Sequence, residues 1–259
     1  MNDIVVSVKN LTAGYEKDRI ILKDISFDVP ARQILAILGG SGCGKSTLLK
    51  HIIGLYKPFS GDVLIQDRSI VRAGENERRS IMQAFGVAYQ GGALFRSLTL
   101  EENIALPLEE YTPLSREEIR DKVREKLALV NLDGYQDYMP SDLSGGMIKR
   151  AAFARALALD PAILFFDEPS AGLDPLSSSS LDRLILDIRE KTCATIVIVT
   201  HELNSIFSVA DRALMLSAET RGIIADGKPE FLRVHSENNF VRTFLNRGKP
   251  LPEISVREE

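Results

Sequence analysis

Apolar residues along this 259-residue chain occur in two textures. One is the short unbroken run. "QILAILGG" (Gln33 to Gly40), "GVAYQ" (Gly86 to Gln90), "AILFFD" (Ala162 to Asp167) and "ATIVIVT" (Ala194 to Thr200) have strand length and end in polar or glycine-rich turns. Such runs predict strands of a parallel sheet covered on both faces. Near the start, "IVVSV" (Ile4 to Val8), "ISFDV" (Ile25 to Val29) and "GDVLIQ" (Gly61 to Gln66) alternate more, which suits an antiparallel sheet flanking the main one.

The other texture is helical. "STLLKHIIG" follows the glycine turn at Gly39, and between Gln90 and Leu143 the charged segments "EENIALPLEEY" and "SREEIRDKVREKLALVNL" carry a helix period. Ser115 and Glu118 stand in capping-box spacing. Ser177 to Ser180 read as the start of a further helix, and "PEFLRVHSENNFVRTFLNRG" as a last helical stretch before a polar tail. The pattern predicts an α/β fold: a core with a mainly parallel sheet, a flanking antiparallel β-sheet and an inserted α-helical subdomain. Residues 1–90 and 160–245 are assigned to the core, 91–159 to the helical insertion and 246–259 to the tail.

Composition narrows the choice of partner. At 44% hydrophobic and 26% charged the chain is ordinary for a globular protein, and a net charge of -4 offers no basic footprint for nucleic acid. Cys43 and Cys193 have no metal-ligand spacing and read as reduced thiols, a long-range disulfide being the alternative. The N-terminus lacks the form of a signal peptide, and no apolar run approaches the ~20 residues of a membrane span. Work at a membrane then requires another chain to hold this one there.

The candidate chemistry begins at "GGSGCGKST", which comprises Gly39, Gly40, Ser41, Gly42, Cys43, Gly44, Lys45, Ser46 and Thr47. It fits G-x-x-x-x-G-K-[ST] and lies between a buried strand and a helix, as a phosphate-binding loop does. Its glycines let backbone N–H groups curl around phosphates at a helix N-terminus. Lys45 is suited to reach β- and γ-phosphates, and the Ser46 hydroxyl to ligate Mg²⁺. Asp167 and Glu168 end the strand "ILFFD", at the edge where open α/β sheets place ligands. Asp167 suits Mg²⁺, and Glu168 suits polarisation of an attacking water. Gln90 and His201 follow two other strands and belong at the same edge, Gln90 beside the metal or the water and His201 near a γ-phosphate. A lone His is otherwise a structural or solvent-facing residue, and Tyr15 by itself reads equally as a strand or core residue.

Phosphate loop, Gln90, "LSGGM", "FFDE", "AGLDP" and His201 occur in the order and spacing of ABC-family nucleotide-binding domains, which nearly the whole chain resembles. The resemblance implies ATP and Mg²⁺ as ligands and Tyr15 as the aromatic that stacks on adenine. It implies a homodimer packed head to tail, in which Ser144, Gly145 and Gly146 close over the ATP of the opposite subunit. Asp174, at the same seam, would tie the two sites together. ATP would draw two copies together, and hydrolysis assisted by Glu168 would let them part. Without the family, Ser-Gly-Gly reads as a helix cap.

Met147, "GGALFRSLTLEENIALPL" after Gln90 and "FVRTFLN" resemble the ATPase subunits of Mce/Mla-type lipid transporters. That resemblance implies an integral membrane permease as partner, facing the stretch after Gln90. It also implies a lipid-binding Mce-domain subunit, in some systems a STAS-type cytoplasmic protein, and a place on the inner face of the inner membrane. The alternative is the ATPase of an amino-acid or other small-solute importer. A non-transport ABC protein acting on DNA or ribosomes fits less well, because no sustained heptads separate Gln90 from the signature.

Overall fold

The computed structural model describes residues 3–16 and 19–248. Of the tail, residues 249–259 lie outside the described residues. Ten strands and nine α-helices are assigned among those described. The first two strands, β1 (Ile4–Glu16) and β2 (Arg19–Pro30), run well beyond their predicted cores and pair antiparallel. Strands β3 (Ile34–Gly39), β4 (Ser60–Ile65) and β5 (Arg68–Ser69) flank α1 (Lys45–Ile52). Next come α2 (Glu75–Met82) and β6 (Phe85–Ala88). The helical insertion contains α3 (Leu100–Tyr111), α4 (Arg116–Leu129) and α5 (Gly145–Ala156). Strand β7 (Ile163–Asp167), α6 (Pro175–Thr192), β8 (Thr195–Val199) and α7 (Leu203–Val209) follow. The chain then forms β9 (Arg212–Leu216), β10 (Ile223–Gly227), α8 (Pro229–His235) and α9 (Asn239–Leu245).

Two sheets result. The smaller has the order β2-β1-β4-β5 and is antiparallel throughout. The larger has the order β10-β9-β3-β8-β7-β6, parallel except for β10 at its edge. The continuous apolar runs are therefore strands buried on both faces. Within β7, Leu164 and Phe166 face the layer of α3 to α6, while Ile163 and Phe165 face α1 and the small sheet. A third cluster, around Ala36, Leu38 and Met215, seats α7, α8 and α9.

Three elements differ from the pattern-based expectation. Strands β9 and β10 were not predicted, because "RALML" opens on an arginine and "IIADG" runs into Asp-Gly, so each has only three or four consecutive apolar residues. The last helical stretch is two short helices, since Asn238 caps a new start: its Oδ1 accepts the N–H of Phe240 and of Val241. Ser177 to Ser180 lie inside α6, which begins at Pro175 under the Asp174 cap. Both cysteines are free thiols, Cys43 buried and Cys193 exposed, which removes the disulfide alternative.

Helix α5 lies hard against the main sheet. Phe153 stacks on Phe166 with centroids 4.1 Å apart and planes 8° from parallel. A Cβ on Gly86 would come 1.9 Å from the Ala156 carbonyl oxygen, so only glycine admits this backbone approach. Gly86→Ala is expected to lower the unfolding free energy by about 2–3 kcal/mol through overpacking, read as a lower denaturant midpoint.

Candidate functional site

Because β3, β8, β7 and β6 are parallel, the loops that leave them emerge on one edge of the sheet. There the structure opens a cavity of about 730 Å³ lined by Tyr15, Gly39 to Gly42, Gly44 to Thr47, Gln90, Glu168 and His201. Tyr15 and His201, 186 positions apart, thus share one cleft. Gly44 has φ 101° and places Lys45 as the first residue of α1, with the helix N-terminus aimed into the cleft. The Lys45 ammonium donates to the carbonyls of Gly39 and Gly40 at 2.9 and 3.1 Å. Cys43 departs from the rest of the loop. Its side chain turns into the core, 1% exposed, and burial pushes its thiol pKa up, so no ligand reaches the sulfur.

Asp167 and Glu168 have separate environments. Asp167 Oδ1 accepts the Ser46 hydroxyl at 3.4 Å. Burial, with Glu168 beside it, pushes the Asp167 pKa above the usual carboxylate range, against the pull of Ser46, Lys50 and Lys149. Glu168 is 9% exposed; its Oε1 lies 2.8 Å from His201 Nδ1, and its Oε2 is buried without a protein partner. A carboxylate acceptor makes Nδ1 the donor nitrogen.

The donor set suits Mg²⁺. Ser46 Oγ and Asp167 Oδ1 are hard oxygens side by side, and the described residues contain no cluster of three His, Cys, Asp or Glu able to cage a metal. Mg²⁺ fits such a site because it keeps several waters and takes few protein ligands beside phosphate oxygens.

Tyr15 is half exposed at the rim. Its hydroxyl is 3.2 Å from Thr47 Oγ1, and its ring meets Tyr56 edge-on at 5.8 Å. Ser144, Gly145, Gly146 and Asp174 do not line the cleft. Ser144 caps α5, accepting the Met147 N–H at 3.3 Å, and Asp174 caps α6, accepting those of Leu176 and Ser177 at 3.0 Å. Sequence reasoning missed Arg19, Ile21 and Phe244 on the cleft wall. No motif marks Arg19 or Ile21, and Phe244 lies in "FVRTFLN", which the sequence singled out without pointing to the cleft. Arg19 and Ile21 arrive on β2 and Phe244 on α9, through packing between layers.

The family model described as ABC transporter matches residues 22–171, more than half of the chain. The chain belongs to the ABC transporter family. It is 43% identical over 256 residues to the probable ribonucleotide transport ATP-binding protein mkl of Mycobacterium leprae, covering 99% of this chain and 72% of that protein. It is 40% identical over 245 residues to the intermembrane phospholipid transport system ATP-binding protein MlaF of Haemophilus influenzae, covering 95% and 91%. A solved dimeric ATP-binding cassette, in a post-hydrolysis state with ADP and Pi, superposes with a TM-score of 0.78 at 31% identity, over 86% of this chain and 98% of that one. The family is one of transport ATPases that bind ATP with Mg²⁺, form dimers and work with membrane permeases, and this chain is such an ATPase.

Two outcomes follow from the cleft. Tyr15→Ala is expected to weaken ATP binding about tenfold, the scale of one base–aromatic stack, in a nucleotide-binding titration. His51, fully buried behind the phosphate loop, donates from Nδ1 to the Thr47 carbonyl at 2.8 Å, and burial lowers its pKa from the ordinary 6.5. The unfolded chain takes up that proton near pH 6.5 and the folded one resists it, so stability falls as pH drops below that value. His51→Gln is expected to flatten this slope in denaturant midpoints measured between pH 7.5 and 5.5, both on the order of one unit from 6.5.

Proposed function

We propose that this chain is the ATP-hydrolysing subunit that drives phospholipid transport between membranes in an Mla/Mce-type complex. The observation that carries hydrolysis is the Glu168 carboxylate, one oxygen held by His201 and the other buried without a protein partner beside the phosphate loop. Glu168 Oε2 takes the proton of the attacking water, while His201 fixes the orientation of the carboxylate. Lys45 and the backbone N–H groups of Gly40 to Thr47 draw on the phosphates, where charge develops as the γ-phosphoryl group leaves. Ser46 and Asp167, with Gln90, would hold Mg²⁺, which when bound would supply positive charge to the phosphates. Tyr15 stacks on adenine.

A second copy completes the site. Ser144 to Gly146 stand at the N-terminus of α5, outside their own cleft, where they meet the γ-phosphate bound to the opposite subunit. Asp174 lies at that seam. The ATP-binding core is assigned to residues 1–90 and 160–245, and the helical subdomain that carries the Ser144-Gly145-Gly146 turn to 91–159.

No helix among the described residues is long and apolar enough to cross a membrane. In the proposed reading an integral membrane permease holds the ATPase on the inner face of the inner membrane, which the likeness to MlaF supports. A groove of about 310 Å³ behind Gln90, lined by Val87, Phe95, Leu106, Pro107 and Tyr111, suits the permease; Phe95 is 56% exposed there. A lipid-binding Mce-domain subunit completes the proposed assembly, joined in some systems of this type by a STAS-type cytoplasmic protein. The phospholipid reading draws support from MlaF, matched over 91% of its length, and from the Met147 and "GGALF" segments; the ribonucleotide reading rests on mkl.

Glu168→Gln keeps the shape and removes the base. Hydrolysis is expected to fall by about 100-fold or more while ATP traps the dimer, measured by phosphate release and size-exclusion chromatography; normal turnover would defeat the assignment. Purification with the membrane partners, followed by mass spectrometry of bound small molecules, is expected to return phospholipid. Recovery of ribonucleotide or another small solute instead of lipid would move the chain to the other reading.

A further inference from the structure

Glu168 stands in a costly backbone conformation. Its φ is 48°, left-handed for a residue with a side chain, and Pro169 follows it. Proline pushes the residue before it toward extended backbone, so something must hold Glu168 where it is. Two restraints come from nearby main chain: the Glu168 N–H donates to the Val199 carbonyl at 2.8 Å, and its carbonyl accepts the Ala171 N–H at 3.2 Å. The third comes from another layer. Lys149 Nζ, on α5, reaches the same Glu168 carbonyl at 3.4 Å and also donates to the carbonyl of Gln90.

Lys149 is 7% exposed, and its two acceptors are neutral backbone carbonyls. Removing an ammonium from water is costly, and an apolar side chain would fill this space without that cost. Such a violation of local preference points to function. The clamp on the loop is wider than Lys149. Arg155, also on α5, donates to the carbonyls of Ala93 and Gly92 at 2.6 and 3.1 Å. Three of the four carbonyls from Gln90 to Ala93 are therefore held by cations of one helix, and Lys149 alone extends that hold to Glu168.

We propose that Lys149 is a positioning residue for ATP hydrolysis: from the helix that begins at Ser144-Gly145-Gly146, it sets the backbone of Gln90 and of Glu168 together. The inference rests on the reading of Glu168 as the base. It makes a seated α5 a condition for turnover, and it passes a displacement of the Gln90 loop to Glu168 through one ammonium.

The test compares the full-length parent with Lys149→Met, Lys149→Arg and Glu168→Gln, by steady-state hydrolysis and separate ATP-binding titration. Lys149→Met is expected to lower kcat about tenfold or more, the scale of a small misplacement of reacting groups, with KM and ATP affinity within about twofold. Lys149→Arg keeps charge and donors and is expected to stay within about threefold of the parent. The inference is overturned if Lys149→Met turns over like the parent, if affinity falls in step with kcat, or if Lys149→Arg is equally slow. Should Lys149→Met not fold, Lys149→Gln carries the same expectation, and failure of both to fold assigns a structural role and overturns the proposal. An inactive Glu168→Gln beside a fully active Lys149→Met removes only the Lys149 inference; a fully active Glu168→Gln removes the base reading beneath it.

Discussion

The parallel register of β3, β8, β7 and β6 is the constraint on which the rest depends. Asp167 pairs with Val199, and Ile37 pairs with Val199 from the other side, so β7 and β8 end at one level and β3 two residues beyond it, at Gly39. Each loop beyond that line leaves in the same direction. The phosphate loop, the two carboxylates and His201 are neighbours because the sheet permits no other exit. Burial on both faces holds the register, since a slip by one residue would carry Phe165 and Phe166 to opposite layers.

Around that edge the protein tolerates groups that a core otherwise excludes. Glu168 is left-handed before a proline, and Lys149 is an ammonium among carbonyls. His51 leaves Nε2 without a partner behind the phosphate loop. The two main cores lie beneath them, where Phe153 and Phe166 stack and Phe85 meets Phe165 edge-on at 5.5 Å. Packing energy there offsets local cost, and the groups that carry it line the cleft or contact residues that do.

Helix α5 serves two sites. Its N-terminus presents Ser144, Gly145 and Gly146 outward, while Lys149 and Arg155 reach back to the Gln90 loop of the same chain. The backbone contact at Gly86 leaves no side-chain layer to absorb relative motion between the helix and β6. A displacement of α5 is therefore felt at β6 and at the loop that follows it.

Local chemistry was legible in the residues themselves. The phosphate loop, the Asp167–Glu168 strand end, the capping box at Ser115 and Glu118, and the four buried runs depend on neighbours in sequence, and such neighbours suffice to specify a turn, a cap or a strand. Strands β9 and β10 were not legible, because five residues each gain their stability from pairing with β3 and with one another. The inward turn of Cys43, the places of Arg19, Ile21 and Phe244 on the cleft wall, and the reach of Lys149 to two strand ends belong to the same class. They are decided by contact between elements far apart along the chain, where no periodicity or spacing carries the signal.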